Sequence, residues 1–298
     1  MSDINSLTQQ DSKKLEMLRE MQLPCHDDNK RFTDTAKLDK IHELLHSSSY
    51  MPVNGNNLYS LWGKVSLDHL TPEQRESMIV ISTHVDMVSE ITTPFVEFYK
   101  DGTMKGTFDN TATNAAIVYQ MLYGSLPDNV FVAFTGNEEQ GMGGARQLAD
   151  DLSKFLDSEH TGMTPFYFTL DVTNIGFGEK TFSIENTFSL PEDYVTDLVR
   201  LAKETGQKGY LYPRALADES YEYTRVSYRS KTNNPDIYGC SLCVPTNGDM
   251  HSNKGCKMMM DAYLGYTDLV GYIVSNFHRD YEIEHEDDLP FEITDFGR

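Results

Sequence analysis

Four short apolar segments govern what this chain can fold into: residues 78–82, 130–134, 166–170 and 240–244. Each is too short for an ordinary helix, and each lacks polar alternation. They read as strands buried on both faces. Between them the periodicity is helical. Ala115, Ala116, Val118, Tyr119 and Leu122 recur at helical spacing within 112–122. Residues 143–155, 194–203 and 258–277 read as further helices, and 57–62 as one more strand. Buried strands alternating with helices specify an α/β layer fold. The expected arrangement is three-layered, with a mostly parallel central sheet flanked by helices. Two amphipathic helices precede it, within about 10–47. The first covers 10–21. The second carries Leu38, Ile41, Leu44 and Leu45 on one face and can draw its N-cap from Thr33, Asp34 or Thr35.

No internal repeat and no linker rich in Pro, Gly or Ser divides the 298 residues, so 1–298 reads as one domain. Lys and Arg total 25 against 46 Asp and Glu, a formal net charge of −21. That balance argues against nucleic acid and anionic membrane as partners. Solubility accounts for most of the acid, although a surplus also attracts metal ions or ammonium groups. No apolar run reaches the roughly 18 to 20 residues that span a bilayer. The N-terminal residues lack a basic start followed by an apolar stretch. Four cysteines make no disulfide scaffold. A cytoplasmic protein with free thiols is the expectation.

Chemistry-bearing residues collect just past the strands. His84 and Asp86 follow the first, Glu138 and Glu139 the second, Asp171 the third, and His251 the fourth, while Asp109 stands before the helix over 112–122. In open α/β sheets, sites form beyond the carboxyl ends of the strands. Singly, each residue has an ordinary reading: a chance His-x-Asp, a solvated Glu pair, a helix cap. Together they form a set of imidazoles and carboxylates suited to zinc and similar divalent ions. That many clustered carboxylates repel one another unless cations offset them. A bridging carboxylate can hold two ions about 3.5 to 4 Å apart. Asp86, two residues past His84, can reach the far ring nitrogen of that histidine. Adjacent glutamates point in different directions, so one can bind metal while the other acts as a base.

The order His84-x-Asp86, Asp109-Asn110, Glu138-Glu139-x-Gly141, Asp171 and His251 resembles the co-catalytic di-zinc exopeptidases. These comprise di-zinc aminopeptidases, glutamate carboxypeptidases, peptidase T-like enzymes and aminoacylases. The run Phe134-Thr135-Gly136-Asn137-Glu138-Glu139-Gln140-Gly141-Met142-Gly143-Gly144-Ala145 carries the likeness most specifically. The resemblance implies two Zn2+ ions, with Co2+ or Mn2+ able to use the same ligands. His84 and Asp171 would hold one ion, Glu139 and His251 the other, and Asp109 both. Glu138 would be the catalytic base, and Asp86 would orient His84. A cis peptide often follows the bridging Asp in this family. Asp218, within 217–220, falls where relatives carry a substrate-side Asp.

Spacing narrows the branch. Only 25 positions separate His84 from Asp109, which leaves no room for an inserted β-rich domain. The 80 positions from Asp171 to His251 hardly admit a dimerisation domain. The layout is similar to the compact, single-domain aminopeptidases. The implied activity is metal-dependent release of N-terminal residues from peptides. Two alternatives stay open: a di-zinc amidohydrolase or deacylase on small N-acyl compounds, and a non-catalytic binding protein on the same fold. The implied partner is a peptide or small amide, with the oligomeric state undetermined. Cys240, Cys243, His251 and Cys256 suggest a rival thiolate zinc site, but seven residues separate Cys243 from His251 where a zinc knuckle has four. Strand alternation also sends Cys240 and Cys243 to opposite faces or makes them core fillers. The Met258-Met259-Met260 run reads as helix core.

Overall fold

A computed structural model describes residues 7–24, 35–158, 165–213, 218–224 and 237–277. Two helices come first, α1 (Gln9–Glu20) and α2 (Ala36–Leu45). Thr8 and Asp11 form a reciprocal capping box on α1. Thr35 caps α2 by accepting from Leu38 N, while Thr33 and Asp34 lie outside the described residues.

The alternating part follows the sequence pattern closely. Its elements are β1 (Met51–Gly55), β2 (Tyr59–Gly63), α3 (Pro72–Glu76), β3 (Ile79–His84), β4 (Val96–Phe98), β5 (Thr103–Gly106), α4 (Thr111–Tyr123), β6 (Val130–Thr135) and α5 (Gly143–Ser158). Then come β7 (Phe166–Thr173), β8 (Phe182–Glu185), α6 (Glu192–Glu204), β9 (Gly209–Tyr212), α7 (Glu219–Thr224), β10 (Tyr238–Asn247), β11 (Cys256–Met259) and α8 (Met260–Asn276).

The strands form one mixed sheet in the order β1-β2-β6-β3-β7-β10-β11-β5-β4, with β8 and β9 attached beside β10. The four central strands, β6, β3, β7 and β10, are mutually parallel. They are the four apolar segments from which the sequence reading started. The margins depart from parallel: β1, β2, β11, β5 and β4 join antiparallel. Of these, β1, β4, β5 and β11 are short and partly exposed, so no continuous apolar run advertises them, whereas the largely buried β2 is the strand expected over 57–62. The methionine run divides there. Met258 and Met259 pair with Met104 and Thr103 of β5, and the helix begins only at Met260.

Side-chain alternation sorts the strands into two cores. Ile79, Ile81, Phe166, Phe168 and Leu170 face the side covered by α1, α2, α4, α6 and α8. Val80, Phe131, Ala133 and Tyr167 face the side covered by α5 and α7. The sheet is therefore the middle of three layers. Helix α4 is buried from Thr111 to Met121, so its apolar pattern runs round the helix. It packs closely on α8, because a Cβ at Gly271 would stand 2.4 Å from the Gln120 side chain. No helix among the described residues is long and apolar enough to cross a membrane.

Candidate metal centre

The carboxyl ends of β3, β6 and β7 lie side by side, in register from Ile79, Val130 and Phe166 onward. His84 is the last residue of β3, and Asp171 lies near the end of β7. Asp109 reaches the same place from the start of α4. A polar knot fixes that start. Asn110 Nδ2 donates to the Leu170 carbonyl at 2.7 Å. Asn114 Nδ2 donates to the His84 carbonyl at 2.8 Å and to Thr83 Oγ1 at 2.9 Å. The Asp109–Asn110 peptide is cis. These asparagines are the positioning residues that sequence reading passed over. Their signal was present: two amides at the buried start of an otherwise apolar helix.

Glu138 and Glu139 sit on the turn after β6. Asn137 and Met142 adopt left-handed backbone conformations there, and Gly141 has φ +131°. Gly144 follows where a Cβ would stand 2.6 Å from the carbonyl oxygens of Gly136 and Leu58. Only glycine lets α5 start this close to the sheet. His251 arrives from the loop after β10, with its N–H donating to Asp249 Oδ1 at 3.2 Å.

The five expected ligands meet. His84 Nε2 stands 3.1 Å from Asp109 Oδ1 and 3.8 Å from Asp171 Oδ1. His251 Nε2 stands 3.0 Å from Asp109 Oδ2 and 3.7 Å from Glu139 Oε2. Asp109 thus turns one oxygen toward each group. Two such groups can hold an ion: His84, Asp109 and Asp171 in one, Asp109, Glu139 and His251 in the other. A third, overlapping group joins His84 with Glu138 and Glu139. Two donors on one tetrahedral zinc lie about 3.3 Å apart, given bonds of about 2.0 to 2.1 Å. The observed spacings match that. Asp109 Oδ1 is also buried with no hydrogen-bond partner, an oxygen that a cation would satisfy. The residues present therefore fit divalent metal.

Asp86 joins the two groups. Its Oδ1 is 3.5 Å from His84 Nδ1, its backbone carbonyl is 3.2 Å from the same nitrogen, and its Oδ2 accepts the Glu139 N–H at 3.2 Å. It so braces one residue of each group. Burial alone would disfavour the His84 imidazolium, but Glu138, Asp109, Asp171 and Asp86 outweigh it and hold the pKa well above the ordinary value. Burial raises Glu138 to about 8, opposed by His84 and assisted by Asp171, Glu219 and Asp109. Glu139 rises to about 7, again chiefly by burial. His251 rises to about 9 through its hydrogen bond to Asp109. Carboxyls held near neutrality mark a cluster short of positive charge.

Further acids lie behind the ligands. Glu219 is buried and accepts from Ser82 of β3 and Thr135 of β6. Asp218 accepts from Ser241 at 2.5 Å and Ser220 at 2.7 Å. Glu185, at the end of β8, accepts from Ser183 at 2.5 Å. Sequence reading missed Glu185, because nothing in spacing ties β8 to the other strand ends, and it gave Glu219 no role of its own within the 217–220 stretch. Ala217 lies outside the described residues. A cavity of about 360 Å³ is lined by His251, Glu139, Asp171, Cys243, Glu185 and Asp218 among others. The rival thiolate site does not form: Cys240 packs in the core, Cys243 lines the cavity, and no cysteine joins a metal-holding group among the described residues.

Comparison with known proteins bears on this arrangement. Residues 80–295 match the model of peptidase family M20/M25/M40. No curated protein matches the chain. Among solved structures, a TET aminopeptidase from the marine sediment archaeon Thaumarchaeota archaeon SCGC AB-539-E09 superposes with a TM-score of 0.66 at 11% identity, covering 89% of this chain and 97% of that one. Aminopeptidase APDkam598 from the archaeon Desulfurococcus kamchatkensis gives 0.64 at 10% identity, covering 89% and 95%. BSAP, a zinc aminopeptidase from Bacillus subtilis, gives 0.50 at 12% identity, covering 72% and 48%. At such identities the likeness shows the fold. The family match spans most of the chain, and with it the chain belongs to peptidase family M20/M25/M40, as a metallopeptidase of the co-catalytic zinc exopeptidase superfamily.

Proposed function

We propose that this chain is an aminopeptidase that hydrolyses the N-terminal peptide bond of peptides, with 1–298 acting as a single catalytic unit. His84 and Asp171 would hold one divalent ion, Glu139 and His251 a second, and Asp109 both. Zinc suits the donor set, and cobalt or manganese can use the same oxygen and nitrogen ligands. Bound there, such ions supply Lewis-acid polarisation of a carbonyl and bring the pKa of water toward neutrality.

The chain's own residues do the rest. Glu138 stands beside the ligand Glu139 without a fixed role in either three-residue group built on Asp109. It would take a proton from the attacking water and return it to the departing amine. Asp86 would keep His84 and Glu139 oriented. A carboxylate at the mouth of the cavity would receive the substrate's free α-amine and so restrict cleavage to the N-terminus. The observation that carries the reading is the split of Asp109, with one oxygen toward each histidine.

Metal analysis of the purified protein, with release of N-terminal residues from a peptide library measured with and without chelator, tests it. Two metals per chain and chelator-sensitive trimming are expected. Cleavage of N-acyl amino acids but not free peptides would favour a deacylase. Metal-independent trimming would end the proposal.

A further inference from the structure

Glu219 opens α7 and is 1% exposed, yet it lies outside the cavity lining and outside the metal-holding groups of the described residues. Its two carboxylate oxygens go to two different strands. Oε2 accepts from Ser82 Oγ of β3, and Oε1 accepts from Thr135 Oγ1 of β6 at 2.5 Å. Both hydroxyls belong to buried residues. Ser82 has a single hydroxyl proton, and Glu219 takes it. The Tyr223 hydroxyl, 2.7 Å away, therefore donates to Ser82. Tyr223 is itself buried and stacks on Tyr167, with ring centroids 4.2 Å apart. The protons thus all point toward the carboxylate: from Tyr223 through Ser82 on one side, from Thr135 on the other.

Strand register tells which neighbours this bridge acts on. Thr135 is the partner of His84, and Ala133 the partner of Ser82. Side chains two apart on a strand share a face, as do partners in register across strands. Val80, Ser82 and His84 therefore face the α7 side, together with Phe131, Ala133 and Thr135. Thr83 faces the opposite side, where its hydroxyl meets Thr113 of α4 at 2.9 Å. Val80 and Phe131 belong to the core under α5 and α7. One step above Ser82 on the same face comes His84, with Thr135 beside it. The Glu219 carboxylate so holds both the residue beneath His84 and the residue next to it. The register of β3 with β6 ends at His84 and Thr135, and Glu138 stands three positions farther on.

We infer that Glu219 is a positioning residue. By spanning Ser82 and Thr135 it fixes the spacing of the β3 and β6 ends, and with it the placement of His84 and of the Glu138–Glu139 turn. The inference rests on the metal-centre reading and adds a residue that supports it from behind. A span depends on length. Glutamine has the length of glutamate: its Oε1 accepts from Ser82, while its amide donates to Thr135 Oγ1, a hydroxyl that also accepts. Aspartate keeps the charge but falls one methylene short of the span.

Glu219→Gln and Glu219→Asp separate span from charge. Three quantities are measured on each: Zn2+ affinity by competition with a chromogenic chelator, the visible absorption of the Co2+-loaded protein, and the melting temperature. Glu219→Gln should bind Zn2+ as tightly as the unaltered chain and keep its Co2+ spectrum. Glu219→Asp should bind Zn2+ about 10- to 100-fold more weakly, the loss usual when a ligand's support is removed. Its Co2+ spectrum should change, because that absorption reports ligand geometry. Thr135→Val removes one end of the bridge at nearly constant shape. It should weaken Zn2+ binding in the same direction, and it decides the matter where Glu219→Asp does not fold. Unchanged affinity and spectrum in Glu219→Asp and Thr135→Val, with only the melting temperature lowered, would assign Glu219 to the fold alone and overturn the inference. Weak binding by Glu219→Gln beside normal binding by Glu219→Asp would make charge the operative property and overturn it too. Both of these results leave the metal-centre reading intact. An unaltered chain that binds neither Zn2+ nor Co2+ overturns that reading and the inference together.

Discussion

Asp109 Oδ2 stands 3.0 Å from His251 Nε2, although 142 positions separate the two residues. The contact ties the start of α4 to the loop after β10. The other oxygen of Asp109 faces His84. A carboxylate placed this way shares its charge between two sites. Asp109→Asn should therefore lower metal content by at least half, with elemental analysis of the purified variant as the check. Full metal occupancy in that variant would remove Asp109 from the bridging position.

Glu138→Gln should leave metal content intact and reduce kcat by about 10²- to 10⁴-fold, the range for loss of a general base. Elemental analysis alongside kinetics separates the two effects. Near-normal turnover in this variant would remove Glu138 as the base.

Asp86→Ala removes the acceptor for the Glu139 N–H and the carboxylate beside His84. Metal affinity should weaken about 10- to 100-fold, as is usual when a ligand loses its supporting partner. Competition with a chromogenic chelator measures it. An unchanged affinity would show that backbone contacts alone orient the ligands.

Stability of the chelated protein should fall as pH rises. Glu138 is raised to about 8, Glu139 to about 7 and Glu219 to about 7, chiefly by burial. Groups whose folded pKa lies above the unfolded value bind more protons when folded, so their contribution is present at low pH and lost as pH rises through the folded values. His251, raised to about 9, acts in the same sense from about pH 6.5 upward. The metal-free protein should melt at lower temperature at pH 8 than at pH 5.5. Metal added at pH 8 should restore the difference. A flat melting profile of the chelated protein across that range would contradict the assigned burial.

Gly144→Ala should cost about 1 to 3 kcal/mol, the usual range for overpacking. Its Cβ would meet backbone oxygens of Gly136 and Leu58, neither of which can swing aside. Chemical denaturation gives the stability change. The variant should also lose activity, because the clash lies at the turn that carries Glu138 and Glu139.

How much was legible in the sequence follows from the range of each physical signal. Burial of a parallel strand on both faces leaves an unbroken apolar run, so β3, β6, β7 and β10 were readable one by one. The position of His84, Glu138–Glu139 and Asp171 at those strand ends followed, since chain order and strand ends are local facts. The partly exposed strands β1, β4, β5 and β11 leave no such run, and β8 and β9, though largely buried, are only four residues each, so all six were missed. So was Glu185, which lies 33 positions from Asp218 and lines the same cavity only because β8 and α7 both pack beside β10. The residue types, their order and their attachment to strand ends were determined by the chain itself. Which oxygen of Asp109 faces which histidine, and which further acids share the cavity with the ligands, was decided only by tertiary packing. Those relations depend on distances between elements, and distance across a sheet has no imprint in local sequence.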